Sequence, residues 1–277
     1  MKTPIGMEIF TGFNIQYPEY EIITPQSGRR YTLRTMTVGE EETLKGSMMT
    51  PITVAEHLAQ VIWKCIVKKP DDIKTYDDFI KKTTLKDRDA LIIGLHLISY
   101  GDIEKYSVVC DQCEYNNLIN VNIAESMNFV AWDKFDANNE LVDCISHRHT
   151  VPLEIFKGVN AILKIPTMAE EIELNKKAQY MSDKTTTAMM NLLMIDKFTV
   201  EATQKNPNGE TLTDRNVILS AYNSLPAKDK SLINKSFQDQ YDKYKVTVEV
   251  TVRCSQCGKE RKVFIDLTQQ FFRALYQ

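Results

Sequence analysis

Two short stretches, Cys110-Asp111-Gln112-Cys113 and Cys254-Ser255-Gln256-Cys257, hold the residues of this 277-residue chain best equipped for chemistry. A two-residue spacer folds both thiolates of a pair toward one point, and two such pairs supply the four sulfurs of a tetrahedral zinc site. Four thiolates leave no open coordination position, so the expected Zn2+ is structural and not catalytic. The pairs are separated by more than half of the sequence, which does not forbid a shared ion, because loop-closure cost grows slowly with length. The competing readings are a redox pair, two reduced structural pairs, or two separate metal sites. A redox pair draws its low thiol pKa from a helix start, and no helix signal follows either pair. A zinc held by four thiolates is anionic, and Arg253, Lys259, Arg261 and Lys262 lie close enough in sequence to offset the charge. Gly258 follows the second pair, where a positive φ is often needed. Glu114 takes that place in the first pair, at an expected strain of about 1 kcal/mol.

The elements that must position these thiolates are strands. Residues 106–109 and 118–123 flank the first pair, and residues 246–252 and 262–267 flank the second. Their patterning reads as two hairpins, each with a cysteine knuckle at its tip. The other two cysteines read differently. Cys65 falls on an apolar helix face and is expected in the core. Cys144, near His147 and His149, is expected in an exposed polar loop.

The spacing of the knuckles has a counterpart elsewhere in the chain. Residues 31–41 and 161–171 share, without a gap, a Leu, a basic residue, a Thr and a Glu-Glu pair. In both, Thr37 and Thr167 open a Thr-x-x-Glu capping box after a strand-like run. Farther on, Lys86-Asp87-Arg88 and Lys228-Asp229-Lys230 each open an apolar helix, over 90–98 and 231–237. Asp87 precedes Cys110, and Asp229 precedes Cys254, by similar distances. The expected fold is α+β, with two similar tandem units: residues 1–125 with the first knuckle, and residues 126–277 with the second knuckle and an aromatic tail. Further helices are expected over 54–68, 169–181 and 187–197, the last carrying Met189, Met190, Leu193 and Met194. Residues 204–210 read as a loop, and the Lys/Asp-rich stretch 68–82 as a solvated face.

Composition narrows the function. The net charge of −3, with 26% charged and 43% hydrophobic residues, is ordinary for a soluble globular protein and offers no whole-chain basic footprint for nucleic acid. No apolar run is long enough to span a membrane, and the N-terminus lacks the apolar stretch of a signal peptide. Phosphate cradles and the common hydrolase motifs are absent from the sequence. The pairs Glu40-Glu41 and Glu170-Glu171 sit in first helical turns, where the helix dipole favours acids without any catalytic role. A zinc-ribbon nucleic-acid-binding regulator is the alternative, using Arg253, Lys259, Arg261 and Lys262. The first hairpin, however, carries no basic residue over 114–123. At the ends, residues 9–15 read as an apolar arm. Phe271, Phe272, Leu275 and Tyr276 cluster on a short C-terminal helix that is expected to dock a partner or to cap the core.

Several of these features occur together: a strand leading into Thr37-Val38-Gly39-Glu40-Glu41, the apolar helix begun by Lys86-Asp87-Arg88-Asp89-Ala90-Leu91, the Cys110/Cys113 hairpin, and the closing Ile265-Asp266-Leu267 with Phe271-Phe272-Arg273. In this the chain resembles the baseplate hub and hub-assembly proteins of T-even-type contractile-tail bacteriophages. The resemblance implies a non-enzymatic protein made in the infected bacterial cytoplasm. It would bind other tail and baseplate proteins, either as a virion component or as an assembly factor, with no nucleic-acid or membrane-spanning role.

Overall fold

A computed structural model describes residues 17–47, 51–178, 192–202 and 208–275. Among them are nine α-helices and twelve strands in several antiparallel sheets, an α+β fold made of two similar units. The first unit opens with the hairpin β1 (Glu19–Ile23) and β2 (Arg30–Arg34), and α1 (Val38–Ser47) and α2 (Pro51–Cys65) follow. Strand β3 (Ile66–Lys68) then pairs with the far side of β2. Helices α3 (Tyr76–Lys82) and α4 (Leu85–Tyr100) lead to the hairpin β4 (Ile103–Val109) and β5 (Asn116–Val121). A single turn, α5 (Ile123–Ser126), and β6 (Met127–Phe129) cross to the second unit.

There the order repeats. The hairpin β7 (His149–Pro152) and β8 (Val159–Leu163) leads into α6 (Met168–Ala178). Strand β9 (Ile195–Val200) pairs with the far side of β8, and β10 (Glu210–Leu212) extends the sheet. Helices α7 (Arg215–Ser224) and α8 (Ala227–Phe237), with a π-helical turn Gln238–Asp242, precede the hairpin β11 (Val246–Arg253) and β12 (Glu260–Ile265). Helix α9 (Leu267–Ala274) closes the described chain.

The likeness extends to single atoms. Glu40 reaches back to the backbone N–H of Thr37 at 2.8 Å, and Glu170 to that of Thr167 at 3.1 Å, so each satisfies a donor that the helix start would leave orphaned. Each glutamate also pairs with the cation six residues before it, Arg34 or Lys164. Asp87 and Asp229, both fully buried, perform the same task. Asp87 accepts the N–H groups of Gln26 and Ser27 in the β1–β2 loop. Asp229 accepts those of Glu154, Ile155 and Phe156 in the β7–β8 loop. A buried carboxylate is tolerated because these amides replace its water.

One core lies between β1–β3 and helices α1–α4, and a second between β7–β9 and helices α7 and α8, the latter closed by Trp132, Tyr241 and Tyr244. The units interlock. Met168 and Ile172 of α6, Phe271 of α9 and Leu275 just after it complete the first core. Leu85 N–H donates to Pro166 O, Met168 N–H donates to Thr83 O, and Arg88 pairs with Glu171 across the join.

Four sequence expectations are corrected. The helix expected over 54–68 ends at Cys65, because its last residues are drawn into pairing with β2 as β3. In place of a helix over 187–197, residues from Ile195 form β9, since pairing with β8 outweighs local helix propensity; residues 187–191, with Met189 and Met190, lie outside the described residues. The stretch 68–82 is not only a solvated face, for α3 buries Phe79 completely. Cys144 is not exposed but 1% accessible, in the second core. The arm 9–15, residues 179–181 and 203–207, and Tyr276 also lie outside the described residues.

Candidate metal centre

The hairpins β4–β5 and β11–β12 place the knuckles. In each, the first cysteine's N–H donates to the carbonyl five residues on: Cys110 to Tyr115 at 2.9 Å, and Cys254 to Lys259 at 2.8 Å. The residue four positions on donates back to the cysteine carbonyl: Glu114 to Cys110 at 3.0 Å, and Gly258 to Cys254 at 2.9 Å. This closure forces a left-handed residue, with φ of 59° at Glu114 and 76° at Gly258. Glu114 therefore carries the strain that its position in the sequence implies.

The inner faces of the hairpins meet over a small core of Val121, Ile123, Val248, Ile265 and Leu267, with Ile93 of α4 beneath. Asn117, buried between the knuckles, accepts the Ser255 N–H at 2.9 Å and so fixes one tip on the other. All four sulfurs then lie within 4.8 Å of one another. Cys110 Sγ is 3.7 Å from Cys257 Sγ, and Cys113 Sγ is 3.6 Å from Cys254 Sγ. A disulfide needs about 2.0 Å. A tetrahedron with metal–sulfur bonds of about 2.3 Å has edges of about 3.8 Å. The four residues thus fit a tetrahedral thiophilic ion, and the cluster could hold a metal.

Backbone amides favour thiolate at this point. The N–H of Cys257, and then that of Gln256, bring the Cys254 thiol down to about 6. Those of Gln112 and Cys113 lower Cys110. Cys113 receives the Tyr115 N–H, yet desolvation and its three thiol neighbours hold it up at about 12. Four adjacent anions repel, and a bound cation removes that repulsion. Of the four cations expected to offset the charge, Lys259 and Arg261 line the space beside Cys110 and Cys254. Lys259 pairs with Asp111 at 3.1 Å, and Arg261 donates to Val109 O at 2.6 Å. Arg253 and Lys262 face Glu260 and Glu249 instead.

The remaining candidates fall elsewhere. Cys144 forms no metal-ligand cluster with His147 and His149 among the described residues, and His147 Nδ1 instead lies 2.9 Å from the Tyr241 hydroxyl. Cys65 is buried as expected, its thiol pushed up to about 12 by burial. Among the described tail residues, expected to dock a partner or to cap the core, Phe271 and Leu275 turn inward. Phe271 and Leu275 are 0% and 2% exposed in the first core, with Phe272 half-buried beside them. Phe271 and Leu275 therefore serve the first core, the second of the two uses expected of the tail. Sequence reasoning missed the buried aspartates Asp87 and Asp229 as loop anchors, although both sit in the Lys-Asp-basic motif that marked the repeat.

The two units thus meet at their hairpin tips, where the four thiols gather. The chain belongs to the T4 bacteriophage base plate protein family, whose model matches residues 17–273. No curated protein and no solved structure matches it. It is a baseplate structural protein of a contractile phage tail, and other tail proteins are its implied partners. No described helix is long and apolar enough to cross a membrane.

Proposed function

We propose that the chain is a non-enzymatic building or assembly protein of the central baseplate hub, and that one structural Zn2+ on Cys110, Cys113, Cys254 and Cys257 staples its two units. The division falls near residue 125, with residues 1–125 as the first unit and 126–277 as the second. The observation that carries the zinc reading is the tetrahedral spacing of sulfurs brought from two hairpins distant in sequence. Zinc in small finger peptides contributes about 10–16 kcal/mol of apparent binding energy, and here much of it would hold one unit to the other. The protein acts through contacts with other tail proteins, in the host cytoplasm during assembly and, as a building component, in the virion baseplate. The nucleic-acid alternative is weakened because Arg253 and Lys262 face glutamates and Lys259 pairs with Asp111.

Elemental analysis of the purified chain tests the staple, with about one zinc per chain expected for four thiolate ligands. Cys110→Ser and Cys254→Ser should lower stability alike although they lie in different units. Zinc near zero, with all four thiols alkylated in the native state, refutes it. Co-sedimentation with purified baseplate intermediates tests the hub role, and binding to DNA that falls steeply with salt would favour the alternative.

A further inference from the structure

Two sheet edges face each other across a gap. Among the described residues β1 is an outer strand of the sheet β1-β2-β3, and β6 is the outer strand beside β11 in the sheet β12-β11-β6. The two strands converge beyond their C-terminal ends, where Trp132 N–H donates to Pro25 O at 2.8 Å. Between them lies a groove of about 330 Å³. Ala90, Ile93, Gly94 and Leu97 of α4 form its floor, at the i, i+3, i+4 and i+7 spacing of one helical stripe. Ile22 sits directly on this floor, since a Cβ at Gly94 would stand 1.8 Å from Ile22 Cδ1.

The lining asks for an apolar, uncharged strand. Tyr20 and Phe129, on opposite rims, are each 43% exposed. The one charged residue on the described lining is Glu21, and strand alternation turns its carboxylate to the outer face, where it pairs with Arg30 at 2.8 Å. Lysines, prolines and bulges are the usual guards of an open edge. Neither β1 nor β6 has any of them, and each meets its single partner in unbroken register.

The chain carries a segment of that kind next to that place. Residues 9–15, outside the described residues, hold no charge, and Ile9, Thr11, Phe13 and Ile15 alternate with Phe10, Gly12 and Asn14. In a strand this alternation gathers three large apolar side chains and a threonine on one face. The described chain begins at Tyr17, just before β1 and at the end of the groove away from the Trp132 closure. Residues 16–19 suffice to turn the chain from Ile15 back to Tyr20, a common length for a hairpin loop, and Pro18 suits a turn. Tyr20 and Ile22 stand opposite the buried Leu33 and Tyr31 and so face the helices. Antiparallel pairing of the arm then sets Ile15 opposite Tyr20 and Phe13 opposite Ile22, with the apolar face of the arm toward α4.

We propose that residues 9–15 fold back as a strand on the free edge of β1 and fill the groove between β1 and β6. The arm of the same chain is the favoured occupant, because a short loop holds it at an effective concentration on the order of millimolar. The added strand joins the two sheets and closes both edges to other chains.

Hydrogen exchange on the full chain tests this. The amides of residues 9–15 are expected to be protected, independently of protein concentration. Phe13→Asp, which sets a carboxylate on the apolar face, should speed exchange across 9–15 and 127–129 about tenfold or more. Asn14→Asp, with the same charge on the outer face, should leave it unchanged. Amides of 9–15 in the parent chain that exchange as fast as in a free coil overturn the proposal, whatever the variants do. Equal effects of the two substitutions overturn the facing of the arm and the proposal with it. Protection that grows with protein concentration assigns the groove to a second copy, and protection that appears only with added tail proteins assigns it to a partner; either result overturns the proposal.

Discussion

Phe271→Ala separates a tail that completes this chain's core from one held ready for a partner. Phe271 is fully buried, and its ring meets Tyr100, His96 and Phe272 at centroid distances of 6.3, 6.4 and 5.5 Å. Removing a buried Phe ring loses its transfer free energy and leaves a cavity, together about 3–5 kcal/mol. The neighbours are two helices, α4 and α9, so the site cannot easily collapse, and the upper half of that range is expected. With an unfolding entropy of about 2.1 cal/mol/K per residue, a chain of this length then loses about 7–9 °C in Tm. Phe264, seven residues earlier on the outer face of β12, is 67% exposed and serves as the control. Its change to Ala should move stability by no more than about 0.5 kcal/mol. Urea unfolding of both variants, with zinc content measured alongside, supplies the comparison. A Phe271→Ala protein as stable as the parent, with binding to tail proteins lost, would overturn the core assignment and restore the tail as a docking element.

Two further outcomes follow from the geometry. Burial holds the His96 imidazole down at about 4, against about 6.5 in an unfolded chain. As pH falls the unfolded chain takes up this proton first, so stability should decline between about pH 6.5 and 4. His147 and His149 are lowered too, mainly by burial, so His96→Gln should flatten the profile of urea midpoint against pH without abolishing it; an unchanged profile contradicts the burial of His96. At the knuckles, Glu114→Gly should relieve the left-handed strain and stabilise by about 0.5–1 kcal/mol, while Gly258→Ala should cost about 1 kcal/mol. No atom stands within 4 Å of a Cβ at Gly258, so the latter cost is backbone strain alone, and thermal unfolding of the zinc-loaded variants should show the two effects with opposite signs.

The thiol set, the two capping boxes and the doubled order of elements are all visible in the amino-acid sequence. Each of these is written in local chemistry: a two-residue spacer turns two thiols together, a Thr-x-x-Glu start satisfies orphaned amides, and alternation marks a hairpin. That the knuckles share one site is expected from the two pairs and their strand flanks, but the 3.6–3.7 Å sulfur spacing depends on Asn117 and the apolar faces of both hairpins. Local signals failed where distant pairing decided the outcome. Residues 195–200 carry a mixed pattern that only β8 turns into a strand. Cys144 sits among polar residues in sequence, yet Trp132 and Tyr241, from either side of it in the chain, share its core. The tail shows the limit most plainly, since an apolar stripe on a terminal helix has the same sequence whether it fills a core or meets a partner. Only the place where α9 packs, against α4 with Phe271 between them, assigned that stripe to this chain, and among the described residues the same helical continuation left β4 without the strand that β6 gives to β11.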